Sequence, residues 1–184
     1  ILTAESVTAG HPDKLCDTIA DSVLDACLKE DPNARVACEV LATVGKILVA
    51  GELRTTASPD VEAIVRQTVR NAGYDCNYNV EMRLHTQSPD IAGAVDGDTL
   101  GAGDQGIMYG YACWETVELL PAPIVLANRI TSLLTTCREE KLISGMGPDG
   151  KAQVSVQYAF GVPERVDTIV ISCQHDADKD PSMI

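Results

Sequence analysis

Leu15, Ile19, Val23 and Cys27 recur every four residues between Pro12 and the Asp31-Pro32 pair. That spacing places four apolar side chains on one face of an α-helix. Pro12 stands at the position where a first helical residue has no hydrogen bond to lose. A second helix is expected from Ser58-Pro59 through Ile64, Val65 and Val69, ended by Gly73. A third is expected over 121–137, with Ile124, Ala127, Ile130 and Leu134 on one side. Between the helices the pattern changes to that of strands. A short strand is expected within 1–10, and strands over 35–41 and 46–54 read as a hairpin around Gly45. Val80, Met82 and Leu84 alternate with polar residues in a further strand. The continuous apolar run 107–113 reads as a strand covered on both faces, and 152–158 and 166–173 as two more strands. The resulting order predicts an α+β fold with helices on one face of mixed or antiparallel sheets, one unit followed by the start of another.

Composition narrows the function. The chain has 184 residues, enough for one domain or two small ones with a real core. Its 27 acids against 14 bases give a formal charge of −13, which argues against sequence-independent nucleic-acid binding. An anionic ligand would need a metal ion or a local group of cations. The seven cysteines are odd in number, form no CxxC pair and lie mostly in apolar-periodic segments. They read as reduced thiols of a cytoplasmic protein, not as a disulfide frame or zinc site. No apolar run approaches the length of a membrane span, and no basic-then-apolar leader opens the chain.

Several polar positions are candidates for chemistry. The stretch 87–112 holds Asp90, Asp96 and Asp98 among glycines and then a glycine-acid turn around Asp104 and Gln105. A loop of this length is more often functional than not, although turn formers at a surface hairpin would look the same. His11, Asp13 and Lys14 stand together at the start of the first helix, where backbone amides favour phosphate. Taken alone, Asp13 is also an ordinary first-turn acid and His11 an ordinary loop residue. Glu39 and Glu52 each interrupt an apolar strand. Alternation either points them at water or buries them, and burial would require a cation or hydrogen-bond donors. His85 reads as a strand-end surface group. Asp149 and Lys151 flank Gly150 in a turn that by itself needs no function.

Three stretches together carry a family resemblance: ESVTAGHPDKLCD at 5–17, QSPDI at 87–91 and GAGDQGIMYGYA at 101–112. With ARVACE near 34, GE near 51, LPAPI near 120 and PDGKAQVSVQY near 148, the chain resembles S-adenosylmethionine synthetases of the bacterial type along essentially all its length. The resemblance implies a methionine adenosyltransferase that joins ATP to L-methionine and hydrolyses the expelled triphosphate to pyrophosphate and phosphate. It implies His11 and Lys151 as catalytic residues, with His11, Asp149, Gly150 and Lys151 at ATP. Asp13 would be a Mg²⁺ ligand and Glu39 the acid of a K⁺ site. Glu52 and Gln87 would hold methionine, Asp90 and Asp104 would complete the pocket, and the loop from Gln87 would correspond to the family's mobile gate. The family's sites lie between subunits, so a homo- or hetero-oligomer is implied, with no nucleic-acid or membrane partner.

The resemblance also sets an expected division: an α+β unit over 1–86, the gating loop and glycine-rich turn over 87–106, and an incomplete middle unit over 107–184. Asp180-Pro181 signals a further helix, and the family's later glycine-rich segments are absent. Met146-Gly147-Pro148-Asp149 lacks the arginine that the family usually carries in this turn. The expected function is therefore that of a synthetase completed by a missing half or a partner chain. The competing expectation is a non-catalytic subunit that binds and modulates a complete synthetase.

Overall fold

The computed structural model describes residues 1–75, 77–86 and 106–179. Its elements are β1 (Leu2–Val7), α1 (Pro12–Glu30), β2 (Arg35–Thr43), β3 (Lys46–Arg54), α2 (Val61–Ala72), β4 (Asn79–Thr86), α3 (Ala122–Glu139), β5 (Met146–Ala159) and β6 (Val162–His175). The fold is α+β, with two three-stranded sheets ordered β1-β5-β6 and β2-β3-β4. The chain gathers into two compact units, one of Ile1–Lys14, Ala72–Tyr74 and Gly110–Ile184, the other of Leu15–Asn71 and Asp75–Tyr109.

In the second of these units, β2 and β3 form an antiparallel hairpin whose last pair is Thr43 with Lys46, and β4 joins β3 in parallel. A parallel neighbour requires a crossover, and α2 supplies it. One face of the sheet buries Ile47 and Val49, and the unit's core is completed by Leu15, Ile19, Val23 and Cys27 of α1 and Val65 and Val69 of α2. The four-residue spacing in α1 is thus the spacing of its buried stripe. The other face carries Glu39, Leu41, Glu52, Arg83 and His85, all exposed.

In the other unit, β1 pairs antiparallel with β5 from Leu2 opposite Val156 to Val7 opposite Lys151, and β6 pairs antiparallel along the other edge of β5. Alternation along β5 turns Ala152, Val154 and Val156 inward, where Ala127, Leu126 and Ile130 of α3 meet the two valines. Ser6 on β1 reaches the same helix through a 3.1 Å hydrogen bond between its hydroxyl and that of Thr131.

The expected strand at 107–113 is not formed. Ile107, Met108, Tyr109 and Tyr111 are 80%, 88%, 91% and 73% exposed, so the run lacks the covering layers that a continuous apolar strand needs. Both sheets are completed without it, and the local bond from Cys113 N–H to Leu119 O at 3.0 Å belongs to a turn. The segments 87–105 and 180–184 lie outside the described residues, and with them Gln87, Asp90, Asp104 and the expected helix start at Asp180-Pro181. Among the described residues, no helix is long and apolar enough to cross a membrane.

Candidate active site

β1 ends at Val7, and its ladder to β5 is carried one step further by Thr8, whose N–H donates to Gly150 O at 2.9 Å. The Thr8 hydroxyl lies 2.7 Å from Pro148 O and 3.3 Å from Gly150 O, and it is the donor to both. His11 N–H then donates to Thr8 O at 3.0 Å, closing the turn that leads into α1. Gly10 packs its backbone on Pro148 so closely that an added Cβ would overlap the proline carbonyl, which is why a residue without a side chain stands there. Tyr74 holds the turn from a different part of the chain, its hydroxyl donating to Gly10 O at 2.7 Å. The His11 turn and the segment Pro148–Lys151 are therefore joined by backbone, hydroxyl and close contact.

The His11 ring is the N-cap group of α1. Its Nδ1 accepts from Asp13 N–H at 3.3 Å, which satisfies a first-turn amide in the way a Ser or Asp cap would. In the neutral ring this leaves the proton on Nε2, available as a donor. Asp13 Oδ2 lies 4.0 Å from the same Nδ1, and this approach is no ion pair while that nitrogen accepts from the backbone. The Asp13 side chain is 90% exposed against 24% for His11, so one is open to a metal ion and the other is held. First-turn amides add the positive end of a helix dipole beside them.

Facing the turn, β5 contains an irregularity. Met146 pairs with His175 and Gly150 with Cys173, so residues 147–149 outnumber the single Gln174 opposite. Such a bulge bends a strand and redirects its side chains. Two of the bulge's backbone groups find partners outside the ladder: Asp149 N–H donates to Gln174 Oε1 at 3.2 Å, and Pro148 O accepts from Thr8. Just beyond, Lys151 Nζ pairs with Glu5 Oε2 at 2.7 Å, with side chains 40% and 53% exposed. An ion pair this exposed is weak, so an incoming polyanion can take the lysine from Glu5.

Glu39 and Glu52 belong to the unit of β2, β3 and β4. Glu39 stands opposite Ala50 and Glu52 opposite Ala37, which makes the two carboxylates diagonal neighbours on one sheet face, roughly 7–8 Å apart at the backbone. On the other side Glu52 is flanked by His85 of β4. Both acids are exposed, so of the two readings open from the sequence, water is where they point. Gly51 between them has φ 144°, and an added Cβ would strike Ala37 O, so the strand tolerates only glycine next to Glu52.

Among the described residues no three His, Cys, Asp or Glu side chains form a metal cage. Asp13 nevertheless fits Mg²⁺, which is commonly held by one or two carboxylates together with substrate phosphates. Glu39, a single exposed carboxylate, fits K⁺ only as one donor of a larger set. Among the described residues, the cysteines at 16, 27, 38, 113, 137 and 173 stand outside any disulfide. Burial first, and then the carboxylates beside them, hold Cys27 and Cys38 above the ordinary thiol range, so these two are packing residues and not nucleophiles.

The structure thus brings His11 and Asp13 together with Asp149, Gly150 and Lys151, and separately sets Glu39 beside Glu52. Sequence reasoning missed Glu5, Thr8, Tyr74 and Gln174. Only the tertiary fold identifies them, because each acts on a residue distant in the sequence.

Family models of the S-adenosylmethionine synthetase N-terminal domain and central domain match residues 1–98 and 99–184. The chain is 50% identical over 188 residues to an S-adenosylmethionine synthase of Nitratiruptor sp., covering 97% of this chain and 49% of that protein. It is 48% identical over 198 residues to an S-adenosylmethionine synthase of Prochlorococcus marinus, covering 98% and 48% respectively. A third such relative, from Finegoldia magna, is 46% identical over 199 residues. The chain spans about half the length of the curated relatives it matches. With both family models together covering every residue, the chain belongs to the S-adenosylmethionine synthetase family, as its N-terminal and central portion.

Proposed function

We propose that this chain contributes half of a methionine adenosyltransferase site, active once the remainder of the fold is supplied by the same polypeptide or by a partner chain. The methionine sulfur attacks C5′ of ATP, the C5′–O bond breaks, and its electron pair leaves on the triphosphate. Water then cleaves that triphosphate to pyrophosphate and phosphate. A thioether has no proton to remove, so catalysis rests on alignment and on stabilising charge at the leaving oxygen.

The observation that carries this reading is the joint between the His11 turn and the bulged segment of β5, where a donor, a cation and an exposed carboxylate share one support. In this assignment His11 Nε2–H donates to the triphosphate, Lys151 exchanges Glu5 for phosphate oxygens, and Asp149 and Gly150 line the nucleotide. Asp13 holds Mg²⁺, which neutralises phosphate charge, and Glu39 contributes to a K⁺ site. Glu52 takes the methionine ammonium, with Gln87, Asp90 and Asp104 completing the pocket. The exposed sheet face of Glu39 and Glu52 supports a site closed by a second subunit, since a carboxylate in open water binds an amine weakly.

The reading is tested by combining the chain with the C-terminal portion of the Nitratiruptor relative, ATP, methionine, Mg²⁺ and K⁺. S-adenosylmethionine is expected, and its absence with every relative tried contradicts the proposal. The second reading is a non-catalytic subunit that modulates a complete synthetase. His11→Ala separates the two: turnover lost with assembly intact supports catalysis, and unchanged turnover supports modulation.

A further inference from the structure

Thr8 is 7% exposed, lies outside every helix and strand, and makes bonds in two directions. Its carbonyl accepts from His11 N–H, while its amide and hydroxyl donate to the segment that carries Asp149 and Lys151. The amide bond would survive any substitution except proline. The hydroxyl bond would survive only in serine, and its acceptor is unusual. Pro148 O sits in the bulge, where pairing between β5 and β6 lapses from Met146 to Gly150. A carbonyl shielded there without a donor costs free energy that a strand in register would not incur. The Thr8 methyl also matters: it is the nearest neighbour, at 3.2 Å, of a Cβ placed on Gly150, so Thr8 fills the space left by that glycine.

We propose that Thr8 is the positioning residue of the phosphate-binding half of the site: its hydroxyl fixes the bulge, and through it Asp149 and Lys151, at a set distance from His11. Thr8 touches no substrate. Its action is to make two segments whose bonded residues lie 140 positions apart behave as one rigid support. This inference rests on the proposed triphosphate role of His11 and Lys151. Preorganisation of this kind is worth most where a ligand is recognised by several weak donors at once, because each lost alignment is felt by all of them.

The test uses the 184-residue chain, inorganic tripolyphosphate with Mg²⁺ to millimolar concentration, and proton–nitrogen NMR of the imidazoles. The chain has three histidines, so His11 is assigned by comparison with His11→Ala. In the wild type, tripolyphosphate is expected to shift the His11 ring. Thr8→Val, which keeps the shape and removes the hydroxyl, is expected to bind about tenfold more weakly with the His11 shift reduced. Thr8→Ser is expected to restore both. Should Thr8→Val not fold, Thr8→Ser against Thr8→Ala isolates the hydroxyl in the same titration. A Val or Ala variant that matches Thr8→Ser in affinity and in the His11 shift overturns the positioning role alone. A wild type whose His11 ring does not respond to tripolyphosphate overturns the phosphate reading and the positioning role with it.

Discussion

Glu5 shows how one side chain can hold another in reserve. Its pair with Lys151 is exposed on both sides, so Glu5→Gln is expected to leave stability within about 0.5 kcal/mol. The same change removes a competitor for the lysine and one unit of negative charge near it, so tripolyphosphate affinity should rise severalfold by calorimetry. An unchanged or lower affinity would show that Lys151 is not a phosphate ligand. Tyr158 is a second residue with a readable consequence. Its hydroxyl donates to Glu115 at 2.6 Å, and burial first, then that bond and the carboxylate's charge, push its pKa up to about 12 from 10.0. The folded state therefore keeps a proton that the unfolded state has lost between those two values. Stability is fully present below about pH 10 and falls as pH rises towards about 12. Urea midpoints across that window should decline, and Tyr158→Phe should flatten the decline; a wild-type midpoint that stays level there would refute the assignment. At this scale the sequence was a partial guide. The helix start that carries His11 and Asp13 was legible, and the resemblance alone singled the two out, but the partners Glu5 and Thr8 were not legible, since strand register links positions that no local spacing connects.

Among the elements, α1 was the most legible. Leu15, Ile19, Val23 and Cys27 read as its buried stripe and are the residues the fold buries. An apolar residue at every fourth position through roughly three turns leaves little room for another interpretation. Ile19 has no exposed surface, and Ile19→Ala should cost about 2–5 kcal/mol through lost burial and a cavity. Thermal or urea unfolding checks this, and a loss under about 1 kcal/mol would mean that the site collapses around the smaller side chain. The run 107–113 shows the opposite case. Its apolar residues gave the composition of a covered strand, but composition does not supply the neighbours that do the covering. Ile107 and Tyr109 stand exposed, with no strand formed around them. β1 was legible as a strand, though its place was not. It pairs with β5, about 150 residues away, in the sheet that also contains β6, and nothing in 1–10 announces that partner.

For the molecule as a whole, the question is how a chain of charge −13 would accommodate the triphosphate proposed for it. The answer proposed here is local: one lysine, one histidine donor, the start of α1 and a metal-binding carboxylate, joined by Thr8 and Gly10 to a bulged strand. The acids and the histidine were visible in the sequence as candidates. Their joining was not, because it depends on a bulge in β5 and on the close approach of Gly10 to Pro148. The central claim is tested most directly by NMR of the labelled chain with Mn²⁺ and tripolyphosphate, using Mn²⁺ alone as the control for adventitious binding to exposed acids. The bound paramagnetic ion should broaden the amides of residues 8–11, 13–14 and 149–151 together, at lower concentration than any others, and only when tripolyphosphate is present. Broadening of one segment without the other, or the same pattern with Mn²⁺ alone, would contradict it.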